Sequence, residues 1–134
     1  MAPMRFTIAF AACAWLLASS APAAEPASDF DAAVTEAKNN TKSPEGAEYD
    51  QVFGKSFAEK HKKTLVLCVE GLKGKDLDPF DIVARVAPNG RLESLGTRPQ
   101  TKVATCLARR MKDDSYPPPP KPRWWVHIRM TIRP

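Results

Sequence analysis

Histidine is nearly missing from this chain, with two in 134 residues, and cysteine is scarce, with three. Those shortages limit the chemistry at once. An enzyme needs converging groups: a nucleophile beside a base, paired carboxylates or metal ligands. His61 and His127 lie 66 positions apart and neither sits in a recognisable catalytic setting. Two cysteines without a nearby Cys or His pair do not make a four-ligand zinc site. No glycine-rich phosphate cradle occurs among the six glycines. Asp76, Asp78 and Asp81 lack the glycine and the closing glutamate of a calcium loop. The reading is therefore a non-enzyme, with no cofactor and no metal.

The chain also lacks an apolar run of membrane-spanning length, which takes about 20 residues. What it has is shorter and N-terminal. Arg5 begins it, Phe6 to Leu17 is almost wholly apolar, and Ser19-Ser20-Ala21-Pro22-Ala23-Ala24 follows. A positive start, an apolar core and small residues are the three parts of a secretory signal peptide. Residues 1–24 are read as that signal, cleaved before Ala24 or Glu25. Cys13 falls inside the apolar core, with Trp15-Leu16-Leu17 still to come, which is the wrong order for a lipoprotein cysteine. A lone Arg5 gives no twin-arginine signal. The processed protein is expected in the periplasm and not as an integral membrane protein.

What remains is one domain's length. Lysine and arginine total 20, aspartate and glutamate 15. The basic excess is concentrated after Ala108, where seven basic residues face two acidic ones. An acidic partner or an anionic envelope surface would suit that end, and nucleic acid is the wrong partner for an exported protein. Cys68 and Cys106 survive processing, and an oxidising compartment makes them an expected disulfide.

Periodicity supplies the elements. Residues 25–43 are polar with a short amphipathic helix, Phe30, Ala33, Val34 and Ala37 on one side and Ser28 as its cap. Ser43-Pro44-Glu45 starts a longer helix through Tyr49, Phe53 and Phe57 to about Cys68, stopped by Gly71 and Gly74. His61, between Lys60 and Lys62, is expected to be solvated. Residues 80–98 alternate about Asn89-Gly90 and predict a hairpin. Thr101 or Gln100 opens a second helix carrying Val103, Leu107 and Met111, which Pro117-Pro118-Pro119-Pro120 follows. Trp124 to Ile132 alternates again as a terminal strand.

The fold class is α+β: a small antiparallel three-stranded sheet, from the hairpin 80–98 and the strand 124–132, with a helix on one face and a long amphipathic helix before it. From Phe80 to Val86, through Asn89-Gly90, Val103 to Met111, Tyr116-Pro117-Pro118-Pro119 and Trp125 to Ile132, the order resembles the C-terminal domain of TonB-like proteins of Gram-negative bacteria. Residues 44–134 are identified with such a domain. The cleavable leader and the helix after residue 44 stand where a transducer has its anchor and spacer. The resemblance implies the domain and not force transmission.

A terminal strand at a sheet edge can accept an extended peptide or a second copy of the chain. Tyr116, Trp125, His127 and Arg129 are the candidate partner-binding residues, since aromatics and arginine are enriched in binding hot spots. The expected function is a periplasmic protein-binding accessory module. The alternative is a structural protein contacting anionic membrane or cell wall through its basic end. Intact mass of protein recovered from the cell envelope should show the leader removed before Ala24 or Glu25 and a gain of two hydrogens on reduction. A full-length mass would remove the export reading.

Overall fold

The computed structural model describes residues 23–27 and 29–133, so residues 1–22, most of the expected leader, lie outside it. The elements in chain order are β1 (Glu25–Pro26), α1 (Phe30–Asn40), α2 (Pro44–Val69), a 3-10 turn (Gly74–Leu77), β2 (Phe80–Val86), β3 (Leu92–Arg98), α3 (Lys102–Met111) and β4 (Trp124–Met130). The sheet order is β1-β3-β2-β4. The expected three antiparallel strands are β3-β2-β4, with β2 in the centre. The two-residue β1 adds a parallel pairing to the outer side of β3, Glu25 against Ser94 and Pro26 against Leu95.

Local chemistry explains each helix start. Asp29 caps α1, its carboxylate accepting from the Ala32 N–H at 3.0 Å; Ser28, the expected cap, lies outside the described residues. Ser43 Oγ accepts from the Gly46 N–H at 3.0 Å, and Pro44 follows at the first helical position, where its missing donor costs nothing. Thr101 Oγ1 accepts from the Ala104 N–H at 3.1 Å. Gly71 and Gly74, both at positive φ, lead the chain away from α2.

Period-two alternation sorts β2 into two faces. Phe80, Ile82, Ala84 and Val86 enter the main core with Phe53, Leu107 and Met111 from α2 and α3. Val83 points the other way, lies beside Gly96, which Phe30 of α1 also approaches, and is fully buried, with Ala33 and Ala37 the buried residues of α1. Helices therefore cover both faces: α2 and α3 on one, the short α1 on the other. The sequence placed α1 but gave no sheet face for it to cover. Full burial of each large core side chain stabilises by about 1.5–3 kcal/mol.

The aromatic line of α2 packs on the end of the sheet. Tyr49 meets Trp124 edge-on with ring centroids 5.9 Å apart, and Phe53 stacks on Tyr116 at 4.2 Å. At the far end of α2, Cys68 is bridged to Cys106 of α3, with Cα atoms 5.7 Å apart. Closing that loop is worth about 3–4 kcal/mol in the chain-entropy account.

The hairpin turns on Gly90 alone. Its φ is +85°, while the Asn89 side chain stays within the turn and accepts from the Arg91 N–H at 3.0 Å. A Cβ on Gly90 would lie 1.8 Å from the Tyr116 carbonyl oxygen. Gly90→Ala should therefore cost about 3 kcal/mol, combining overpacking with left-handed strain. Asn89→Ala should cost under about 1 kcal/mol, the worth of one exposed hydrogen bond. Urea unfolding midpoints of the two variants check the contrast.

Candidate functional site

Strand β4 is the outer strand on its side, and its backbone has a readable polarity. The Ala87 N–H donates to the Arg91 carbonyl across the hairpin at 2.8 Å. Antiparallel partners exchange bonds at every second residue. Arg85, Val83 and Asp81 thus face β3, and Val86, Ala84, Ile82 and Phe80 face β4. Their register partners Trp124, Val126, Ile128 and Met130 bond back to β2. Trp125, His127 and Arg129 turn their N–H and C=O groups outward. The Trp125 carbonyl is taken by Asn40, whose Nδ2 donates to it at 3.0 Å. Among the described residues, no hydrogen bond reaches the outward groups of His127 and Arg129.

The side chains of these residues lie on the α1 face of the sheet. His127 Nε2 sits 2.9 Å from Asp81 Oδ1, and Arg129 donates to Asp81 Oδ2 at 2.5 Å. Burial pushes the Asp81 carboxyl up, but the hydrogen bonds and charges of His127 and Arg129 outweigh it and hold it below the ordinary carboxylate range. Arg85 lies 5.7 Å from the Trp125 ring and also donates to Glu93. Three of the four candidate binding residues are thus together on one strand.

Tyr116 does not join them. It is buried in the core against Phe53, and its hydroxyl donates to Asp114 Oδ2 at 2.8 Å. Burial first, then the neighbouring Asp114 carboxylate, push its phenol far above the ordinary value. Tyr49 is similarly enclosed, its hydroxyl donating to the Pro117 carbonyl at 2.8 Å and its pKa pushed up to about 12 by burial. His61 is likewise not solvated: it is 5 % exposed, and its Nε2 pairs with Asp114 Oδ2. Its position between two lysines hid this, because Asp114 lies 53 residues away. Nδ1 of the same ring is buried and has no partner among the described residues.

Beside the β4 edge, on the opposite face, α2 stands off and leaves an apolar groove of about 430 Å³. Its walls include Phe57, Ala58 and Leu65 of α2 and Ile128 and Met130 of β4, with Leu107 of α3 among its lining residues. Gly54 also lines it, although it sits inside the long helix. Glycine there costs about 1 kcal/mol relative to alanine. A Cβ at Gly54 would meet nothing within 4 Å, so close packing does not demand glycine. These groove residues were missed from sequence; an isolated glycine inside a helical pattern was the available signal. A second cleft of about 450 Å³ lies across β3, between β1 and α3, with Arg98, Gln100 and Lys112 among its lining residues.

No helix among the described residues is long and apolar enough to cross a membrane. Comparison of the chain with protein-family models, curated proteins and solved structures finds no match.

Asp81 gives the site an acid signature. Its folded pKa lies below the unfolded value of about 3.9, so its contribution is complete at neutral pH and fades as pH falls through the folded pKa. Asp81→Asn should lower stability at pH 7, by about 1–3 kcal/mol for a half-buried charge-assisted pair, with the deficit shrinking below pH 4. Urea unfolding at pH 7 and pH 3 should show the two proteins converging. A deficit unchanged by pH would remove the ionic role.

Proposed function

We propose that this protein is a non-enzymatic, exported peptide-binding module of TonB C-terminal-like architecture, which takes an extended segment of a partner protein along β4. The carrying observation is the coincidence of a backbone edge and an apolar groove along the same strand. An added strand finds two rungs, at His127 and Arg129, each able to exchange hydrogen bonds in both directions. Every second side chain of that strand then points to the α2 side, where Ile128, Met130, Leu65 and Phe57 line the groove. The intervening side chains lie on the face of Trp125, His127 and Arg129. Backbone bonds supply affinity and the groove supplies selectivity.

Gly54 supports the reading. A helix interior that needs only stability favours alanine. A helix wall over a binding groove favours the smallest side chain. The Cys68–Cys106 bridge supports an oxidising compartment, as does the leader-like composition of residues 1–24. The strand, turn, strand, helix, strand order of residues 80–130 supports the architectural assignment.

A displayed library of peptides about six residues long, the length of an ordinary strand, tests the proposal. Wild-type protein should enrich sequences with apolar residues at alternate positions. Gly54→Ala should retain binding and gain about 0.5–1 kcal/mol of stability. Gly54→Trp should fill the groove and lose binding while staying folded. N-methylation of a selected peptide at alternate amides should abolish binding in one register and spare it in the other. No enrichment, or enrichment indifferent to Gly54→Trp, overturns the proposal.

A further inference from the structure

The far end of α2 carries a feature that peptide binding does not use. Val66 is 66 % exposed and Leu67 is 60 % exposed, the two most exposed large aliphatic side chains among the described residues. They sit side by side on the outer surface of the last helical turns, while Cys68 beside them faces inward to its disulfide. Lys63 lies one turn before Leu67, and Lys73 and Lys75 follow in the turn after the helix, all three exposed, whereas Lys62, one turn before Val66, is exposed and also lines the apolar groove. Glu70 is the one acidic residue between Lys62 and Lys75. The bridge ties this corner to α3, so the aliphatic pair cannot fold back into the core.

We infer that this corner docks the protein on an anionic phospholipid surface. Two aliphatic side chains form too small a patch for the core of a protein interface, and lysine is depleted at such cores. The same pair is well suited to the interfacial layer of a bilayer, where lysine stems lie along the apolar boundary and their ammonium groups reach the phosphates. Each lysine near such a surface strengthens attraction to anionic lipid, and exposed aliphatics convert attraction into shallow insertion. Neither contribution alone gives stable attachment; the corner combines them. Val66, Leu67, Lys63, Lys73 and Lys75 are not among the residues that line the groove, so a docked protein could still receive a peptide along β4.

Sedimentation of the intact disulfide-bonded protein with vesicles tests this. Phosphatidylglycerol–phosphatidylcholine vesicles should bind it, and pure phosphatidylcholine vesicles should bind it weakly. Val66→Ser with Leu67→Ser, both exposed and tolerant of polar replacement, should lower partitioning on the order of tenfold. Lys63→Gln, Lys73→Gln and Lys75→Gln should each lower binding to the anionic vesicles about fivefold at low salt and leave binding to the neutral ones unchanged. Raising the salt should remove the lysine-dependent part as screening shortens the range of the attraction. Gly54→Trp should bind vesicles like the wild type. Equal binding to both vesicle types, or binding indifferent to the serine pair, overturns the inference. So does a concentration-dependent dimer that the serine pair abolishes, since the patch would then be a self-association surface.

Discussion

The placement of α2 depends on contacts at its two ends, and the gap between them is the apolar groove beside β4. Near its start, Tyr49 packs edge-on against Trp124 and Phe53 stacks on Tyr116. At its end, Cys68 is joined to Cys106. Between those tethers the helix passes over the half-buried Ile128 and Met130 without closing on them, and Gly54 keeps the wall low. A helix held only by its apolar stripe would settle wherever packing is densest, and interiors do approach crystal density. Two fixed ends prevent that collapse.

Buried polarity is managed in the same region. His61, Asp114 and Tyr116 form one hydrogen-bonded cluster that joins α2 to the segment after α3. Separating these pairs would leave further buried polar groups unsatisfied beside His61 Nδ1, which favours one arrangement of those segments over near alternatives. Tyr116 is held from several directions: its backbone N–H donates to the Gly90 carbonyl at 2.8 Å, its ring stacks on Phe53, and its hydroxyl serves Asp114. The residue is a keystone of the proline-rich crossing and not a surface contact. The edge of β4 is managed differently. Asn40 takes one carbonyl and charged side chains flank the remainder, the usual guards against indiscriminate strand pairing. What stays open is a short stretch, the outward backbone groups of His127 and Arg129.

Much of the fold was legible because its signals are local. The serine and threonine caps at Ser43 and Thr101, the proline at Pro44, the glycine at Gly90 and the alternation of residues 80–98 and 124–130 each act within a few residues, and the elements appear where they predict. The cap at Asp29 in place of Ser28 is the same chemistry one position away. The strand β1 was not legible, since two residues carry no period. The site was half legible. Trp125, His127 and Arg129 share an edge strand, as their alternation implies, whereas Tyr116 belongs to the core and Gly54, Phe57 and Leu107 were never grouped with them.

The sequence by itself determined the helices, the hairpin and the terminal strand, because those depend on neighbours along the chain and on the alternation of apolar side chains; the cysteine pair was expected from its even count and the oxidising compartment, and its geometry came from the fold. Only the tertiary structure decided that α1 covers the second face, that His61 is buried against Asp114, and that α2 and β4 stand apart to leave a groove. Those outcomes depend on which faces meet across tens of residues. A side chain's local pattern records that it must be buried, and not against what.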